Sequence, residues 1–191
     1  IVHEVRQGKA AQRWFHRYYG TVDATPLYLV LFSEVWRWTG DVGFARDFKE
    51  PVLRALEWID TYGDRDGDGF VEYQRMTDKG LANQGWKDSW DGITFADGEI
   101  AKAPIALCEV QGYVYAAFRA RAFLADLYDD PGLAASCRDR AYQLEQAFNE
   151  RFWLPDRGWF AIGLDQDKRP IDALASNMGQ ALAMGIVDDS L

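Results

Sequence analysis

Two stretches of the chain are apolar nearly all the way round, and each is followed by a stretch apolar on one face only. The first is T-P-L-Y-L-V-L-F-S-E-V-W-R-W-T-G, residues 25–40. Asp23 or Thr25 can cap it, Pro26 suits its first turn and Gly40 its end, so the spacing predicts a helix buried on both sides. The segment F-K-E-P-V-L-R-A-L-E-W-I-D-T-Y-G then places Leu53, Leu56 and Ile59 on one face, with Arg54, Glu57 and Asp60 on another. That pattern predicts an amphipathic surface helix closed by Gly63.

The alternation repeats after a long glycine-rich stretch, residues 63–103. Residues 104–128 predict a second buried helix, begun by Pro104. Residues 131–152 predict a second amphipathic one, with Asp130-Pro131 as cap and first turn. F-W-L-P-D-R-G-W-F-A-I has two short aromatic runs about a turn and predicts a β-hairpin. The last segment, P-I-D-A-L-A-S-N-M-G-Q-A-L-A-M-G-I, predicts a third inner helix from Pro170 onward. Buried and amphipathic helices in pairs, with long connections, predict concentric inner and outer rings. A helical solenoid is the competing layout, but the pairs share no residue pattern.

Composition narrows the partners. The 191 residues carry a net charge of -9, which disfavours nucleic acid and anionic membrane surfaces. No run is long and apolar enough to predict a membrane span. A 48% hydrophobic and 15% aromatic content predicts a packed core rather than disorder. Cys108 and Cys137 have no metal-ligand spacing and read as small apolar residues. The chain opens at Ile1 and stops at D-D-S-L, which leads us to expect a segment of a longer protein, extended at both ends.

The long loop contains the densest chemistry. N-Q-G-W-K-D-S-W-D-G, residues 83–92, sets Asp88 and Asp91 among Trp86, Lys87 and Trp90. Glycosidic hydrolysis uses one carboxylic acid to protonate the leaving oxygen and a second carboxylate to activate water or attack. Tryptophan faces stack on sugar rings. A surface loop with solvated aspartates and anchoring tryptophans is the plainer alternative.

Elsewhere, Asp23 in Y-Y-G-T-V-D-A-T-P-L is either a helix cap or a carboxylate at the mouth of an inner ring, with Tyr19 beside it. Glu109 and Gln111, early in the second buried helix, either bond to loop backbone or face a pocket. Glu4 and Arg6 in H-E-V-R mark either a solvated strand end or a binding edge. D-R-D-G-D-G-F-V-E-Y puts Asp64, Asp66, Asp68 and Glu72 at calcium-loop positions 1, 3, 5 and 9. Arg75 stands at position 12 where a bidentate glutamate belongs, so a turn competes with a structural calcium site.

Taken together, H-E-V-R, Y-Y-G-T-V-D-A-T-P-L-Y, R-W-T-G-D, D-G-D-G-F-V-E-Y, G-W-K-D-S-W-D-G and S-N-M-G-Q-A-L resemble bacterial glycogen-debranching-type enzymes. These are amylo-alpha-1,6-glucosidase relatives among the glycosidases built on an (α/α)6 barrel. The resemblance implies an all-α fold, about half of such a toroid in residues 1–191. It also implies an inverting hydrolase of α-linked glucosides, bacterial and cytoplasmic, needing no cofactor.

The form Trp-x-Asp maps the general acid onto Asp88, and the Tyr-x-x-Val-Asp-Ala segment maps a sugar-binding carboxylate onto Asp23. Tyr19, Trp86, Lys87, Trp90, Asp91, Glu109, Gln111, Glu4 and Arg6 are the expected lining. Asp91 is the other acid candidate. The resemblance places the general base beyond residue 191, so the segment alone is expected to be inactive. Half a barrel is also expected to self-associate. A non-catalytic carbohydrate-binding or scaffold module is the alternative reading.

Overall fold

A computed structural model describes residues 1–191. Seven α-helices account for the architecture: α1 (Gly8–Arg13), α2 (Ala24–Thr39), α3 (Val42–Asp47), α4 (Lys49–Trp58), α5 (Cys108–Leu127), α6 (Pro131–Phe152) and α7 (Asn177–Met184). Three two-stranded antiparallel pairs decorate them. They join β1 (Glu4–Val5) to β2 (Arg17–Tyr18), β3 (Ala106–Leu107) to β6 (Gly163–Leu164), and β4 (Trp153–Leu154) to β5 (Trp159–Phe160). The fold is all-α in character, as the hydrophobic pattern predicts. No helix is long and apolar enough to cross a membrane.

Helix α5 is the centre of the molecule. Residues on every side of it are buried, from Cys108 through Ala125. It packs against α6 behind it and against α2 and α7 on its two flanks, while α4 packs on α2. The inner layer is therefore α2, α5 and α7, and the outer layer α4 and α6. Phe70, Phe148, Phe152 and Phe160 fill the space behind α5, their rings 4.7–5.2 Å apart. Aromatic pairs at such spacings add to plain area burial.

Local chemistry sets the boundaries. Gly40 ends α2 in the left-handed region at φ 64°, its N–H donating to the Trp36 carbonyl. The Asp130 carboxylate accepts the Leu133 N–H at 3.0 Å and caps α6. In the hairpin, Trp153 pairs with Phe160 and Leu154 with Trp159. Cys108 and Cys137 are buried free thiols.

Four details differ from the sequence reading. The buried face of α4 is Val52, Ala55 and Leu56, continued by Ile59, while Leu53 is only half-buried. The helix runs on through a π-helical turn over Ile59–Gly63, which rotates that face. Pro104 does not begin α5. Residues 105–107 are extended, with Tyr73 bridging Ile105 and β3 pairing with β6, so the helix starts at Cys108. Pro170 likewise belongs to an extended bridge with Leu164, and α7 begins seven residues later. In both places pairing with a distant segment of the chain outweighs the local helical signal.

Candidate functional site at the helix mouths

The first turns of all three inner helices meet at one end of the molecule. Asp23 precedes α2, Glu109 is the second residue of α5 and Asn177 opens α7. The Asn177 side-chain amide donates to Glu109 Oε1 at 2.8 Å, tying α7 to α5. Glu109 is fully buried, and burial pushes its carboxyl up to about 7; the hydrogen bond from Asn177 opposes that rise, and the nearby Asp23 charge adds to it. The Cys108 thiol lies 3.7 Å from Glu109 Oε2, and burial, with the Glu109 charge behind it, raises this thiol. Tyr73 and Tyr113 are also raised, by burial first and by Glu109 second.

Over this polar junction lies the 83–92 loop. The Val22 N–H donates to the Gln84 carbonyl at 2.8 Å, joining the loop to the approach of α2. The Tyr73 hydroxyl donates to Asn83 Oδ1 at 2.7 Å, and Asn83 Nδ2 donates to the Ser89 carbonyl at 2.6 Å. That carbonyl also accepts the Gly92 N–H at 2.9 Å. At Gly85 a Cβ would come 2.2 Å from the Leu107 side chain and 3.4 Å from Glu109 Oε1, so any larger residue would displace the buried Leu107 side chain or lift the loop.

With its base fixed, the loop displays its chemistry outward. Trp86 is 64% and Trp90 69% exposed. Asp88 and Asp91 are exposed as well, and Lys87 is half-buried. Asp23 is half-buried and accepts the Thr21 hydroxyl rather than capping α2 through its side chain. Tyr19 is exposed one residue beyond β2. Arg6 and Glu4 form an ion pair, with Arg6 Nη2 2.6 Å from Glu4 Oε2, on the β1–β2 ribbon beside Tyr18. The Val22–Gln84 hydrogen bond thus sets the loop bearing Trp86, Asp88 and Trp90 beside the approach to α2 that carries Asp23.

Two expected lining residues do not line anything. Gln111 is fully buried, and its Oε1 accepts the Val71 N–H at 2.9 Å while its Nε2 donates to the Val71 and Leu107 carbonyls at 2.7 and 2.9 Å. Its amide is spent on backbone, so it pins a loop rather than facing a pocket. Glu109 is sealed beneath the loop and meets protein groups only. Asn177, which the hydrophobic pattern alone could not single out, is the polar residue that completes this junction; its Oδ1 is buried without a partner.

The acidic loop holds a cation of its own. Lys168 Nζ lies 2.7 Å from Asp66 Oδ2, 2.7 Å from Asp68 Oδ2 and 2.9 Å from Glu72 Oε2. Asp64 instead accepts the Gly67 and Gly69 N–H groups at 2.8 and 3.0 Å. The ligand oxygens of Asp64, Asp66 and Asp68 lie within 4.8 Å of one another, as in a metal loop. The donor set nevertheless does not fit a calcium ion as it stands, because the ammonium takes the ion's place and Arg75, at loop position 12, supplies no carboxylate. The sequence pattern missed Lys168 because it lies about a hundred residues downstream.

A helical arc of inner and outer pairs, with its polar residues at the inner helices' N-terminal ends, is the class of fold these residues define. Among solved structures, one named "Sialidase" matches with a TM-score of 0.55 and 17% identity, over 78% of this chain and 12% of its own. At that identity the match speaks for a shared fold. The chain spans about an eighth of that protein's length. No protein-family model and no curated protein matches the sequence.

Proposed function

We propose that residues 1–191 form the acid-bearing side of the sugar site in a glycoside hydrolase, with Asp88 as proton donor. The observation that carries this reading is the 83–92 loop, which holds a free carboxylate between two exposed tryptophans above the inner helix mouths. Indole faces offer stacking surfaces to a pyranose, and the carboxyl reaches outward to a glycosidic oxygen. The fold match supports the reading, since the neighbour's name is that of a glycosidase. The motif resemblance narrows it to α-linked glucosides of the debranching type and to inversion of configuration.

In this reading Asp88 protonates the leaving oxygen as the glycosidic bond breaks, leaving an aspartate anion. A second carboxylate, outside residues 1–191, takes a proton from the attacking water. Asp23 and Asp91 hold sugar hydroxyls, and Trp86 and Trp90 set the ring plane. Tyr19, Lys87 and the Glu4–Arg6 pair lie at the margins. The acidic loop of Asp64, Asp66, Asp68 and Glu72 plays no part in this step.

The test is Asp88→Asn in the complete protein, assayed on a panel of α-glucosides with product anomers followed by NMR. Turnover falls at least a hundredfold while sugar binding persists, and the product is inverted. Near-normal turnover in that variant rejects the acid assignment, and a retained anomer rejects the mechanism. A second reading is favoured by the same loop: two exposed tryptophans suffice for a non-catalytic carbohydrate-binding module. It predicts α-glucan binding with no sugar released by the wild-type protein.

A further inference from the structure

A cleft of about 330 Å³ opens beside the proposed sugar site, between β2 and the 74–79 loop. Arg17, Arg75 and Lys79 line it together with Tyr18, Tyr19 and Gln84, and no carboxylate does. That is unexpected in a chain with 30 acidic and 21 basic residues. The groove beside the π-helical turn, at about 400 Å³, is by contrast lined by Asp60, Asp64 and Asp68.

The cleft is built rather than accidental. Tyr18 is buried, its ring stacks on Phe15 at 5.3 Å, and its hydroxyl accepts the Leu81 N–H at 3.0 Å. Gly80 packs so closely on that ring that a Cβ there would lie 3.0 Å from the hydroxyl oxygen. The Thr77 hydroxyl donates to the Lys79 carbonyl at 2.8 Å, and Arg75 Nη1 donates to the Gly80 carbonyl at 3.1 Å. The loop carrying two of the cations is thereby folded against β2, which carries the third. None of the three cations is engaged in an ion pair.

The cleft is also continuous with the loop bearing Asp88. Gln84 lines it and then leads into Gly85 and Trp86, while Tyr19 and Gly20 line it and lead to Asp23. The Val22–Gln84 hydrogen bond holds these two strands side by side. A saccharide lying on Trp86 therefore has its next unit, or its aglycone, beside three cations.

We infer that the α-glucoside this site takes carries an acidic unit or aglycone, whose carboxylate or phosphate seats between Arg17, Arg75 and Lys79. This rests on the sugar-site reading above and adds the charge of the ligand to it. Charge-assisted hydrogen bonds from guanidinium and ammonium groups favour such an anion over a neutral hydroxyl, and salt weakens them at this exposure.

The experiment is calorimetric titration of the complete protein with glucose, glucuronate, glucose 6-phosphate and inorganic phosphate. At low ionic strength the tighter of the two acidic sugars binds about tenfold better than glucose, and the preference shrinks to about twofold in 0.5 M salt. Which acid wins tells a carboxylate site from a phosphate site. Arg75→Ala and Lys79→Ala, both at exposed positions, each erode the preference about threefold and leave glucose affinity unchanged. Glucose binding as tightly as both acids overturns this inference alone. So does inorganic phosphate binding as tightly as the preferred acidic sugar, or a preference that survives in the protein carrying both Arg75→Ala and Lys79→Ala. Binding of none of the sugars overturns the sugar-site reading with it.

Discussion

Lys168 Nζ lies 2.9 Å from Glu72 Oε2, and Glu72 is among the most buried acidic side chains of the protein, only 2% exposed. The lysine adopts a left-handed backbone conformation at φ 59°, which a side chain larger than glycine enters at some cost. Here the cost is offset by three carboxylates closing on one ammonium, and the contacts drive the Lys168 amine upward against the effect of its own burial.

Lys168→Met should therefore leave Asp66, Asp68 and Glu72 without a counter-charge and cost about 2 kcal/mol, read as a lowered urea midpoint. It should also turn the loop into a metal site: calcium raises the Tm of the variant and leaves the wild type unchanged. A calcium-dependent rise in the wild type would show that the ammonium does not hold this position.

Glu109 predicts a pH dependence. Its folded-state carboxyl stands at about 7, above its ordinary 4.5. A raised carboxyl binds its proton more tightly when folded, so its contribution is fully present below about pH 4.5 and is lost as pH climbs through 7. The loss amounts to about 3 kcal/mol. Glu109→Gln, neutral at every pH and able to accept the Asn177 amide, should flatten the stability curve between pH 4.5 and 7 and be the more stable protein above it. An unchanged slope in chemical denaturation across that interval would exclude Glu109 as its source.

Gln111→Leu separates a structural amide from a ligand-binding one. The substitution orphans the N–H and C=O of Val71 in the core and should cost about 2–4 kcal/mol of unfolding free energy. Sugar affinity in the folded fraction should be unchanged, because the amide meets backbone alone. A loss of affinity without a loss of stability would return Gln111 to the site.

Asp23 and Asp130 look alike in sequence, each standing just before a helix. Only Asp130 caps with its side chain. Asp130→Ala should lower stability by about 1 kcal/mol, and Asp23→Ala by less than about 0.5 kcal/mol while reducing sugar affinity. Equal stability losses from the two would make Asp23 an ordinary cap.

The chain's own pattern revealed the parts governed by near neighbours. Periodicity and punctuation placed α2 between Asp23 and Gly40, α6 after Asp130 and the hairpin about residues 155–158. Hidden from it were interactions between distant segments: Ile105 and Pro170 held in extended bridges, Gln111 clamped on Val71, Lys168 inserted among aspartates about 100 residues upstream. The site divides in the same way. Asp88 and its tryptophans are adjacent in sequence and visible as a cluster. The seal over Glu109 depends on Gly85 and Asn177, whose neighbours are set only by the fold.

The common end from which α2, α5 and α7 start has an electrostatic meaning of its own. Each helix carries about half a positive charge at its amino end, and here three such ends converge under one loop. In a protein that is strongly acidic as a whole, these three ends set partial positive charge against the carboxylates of Asp23 and Glu109. Negative charge that forms there, on an aspartate giving up its proton or on an arriving anion, meets a backbone already oriented to receive it.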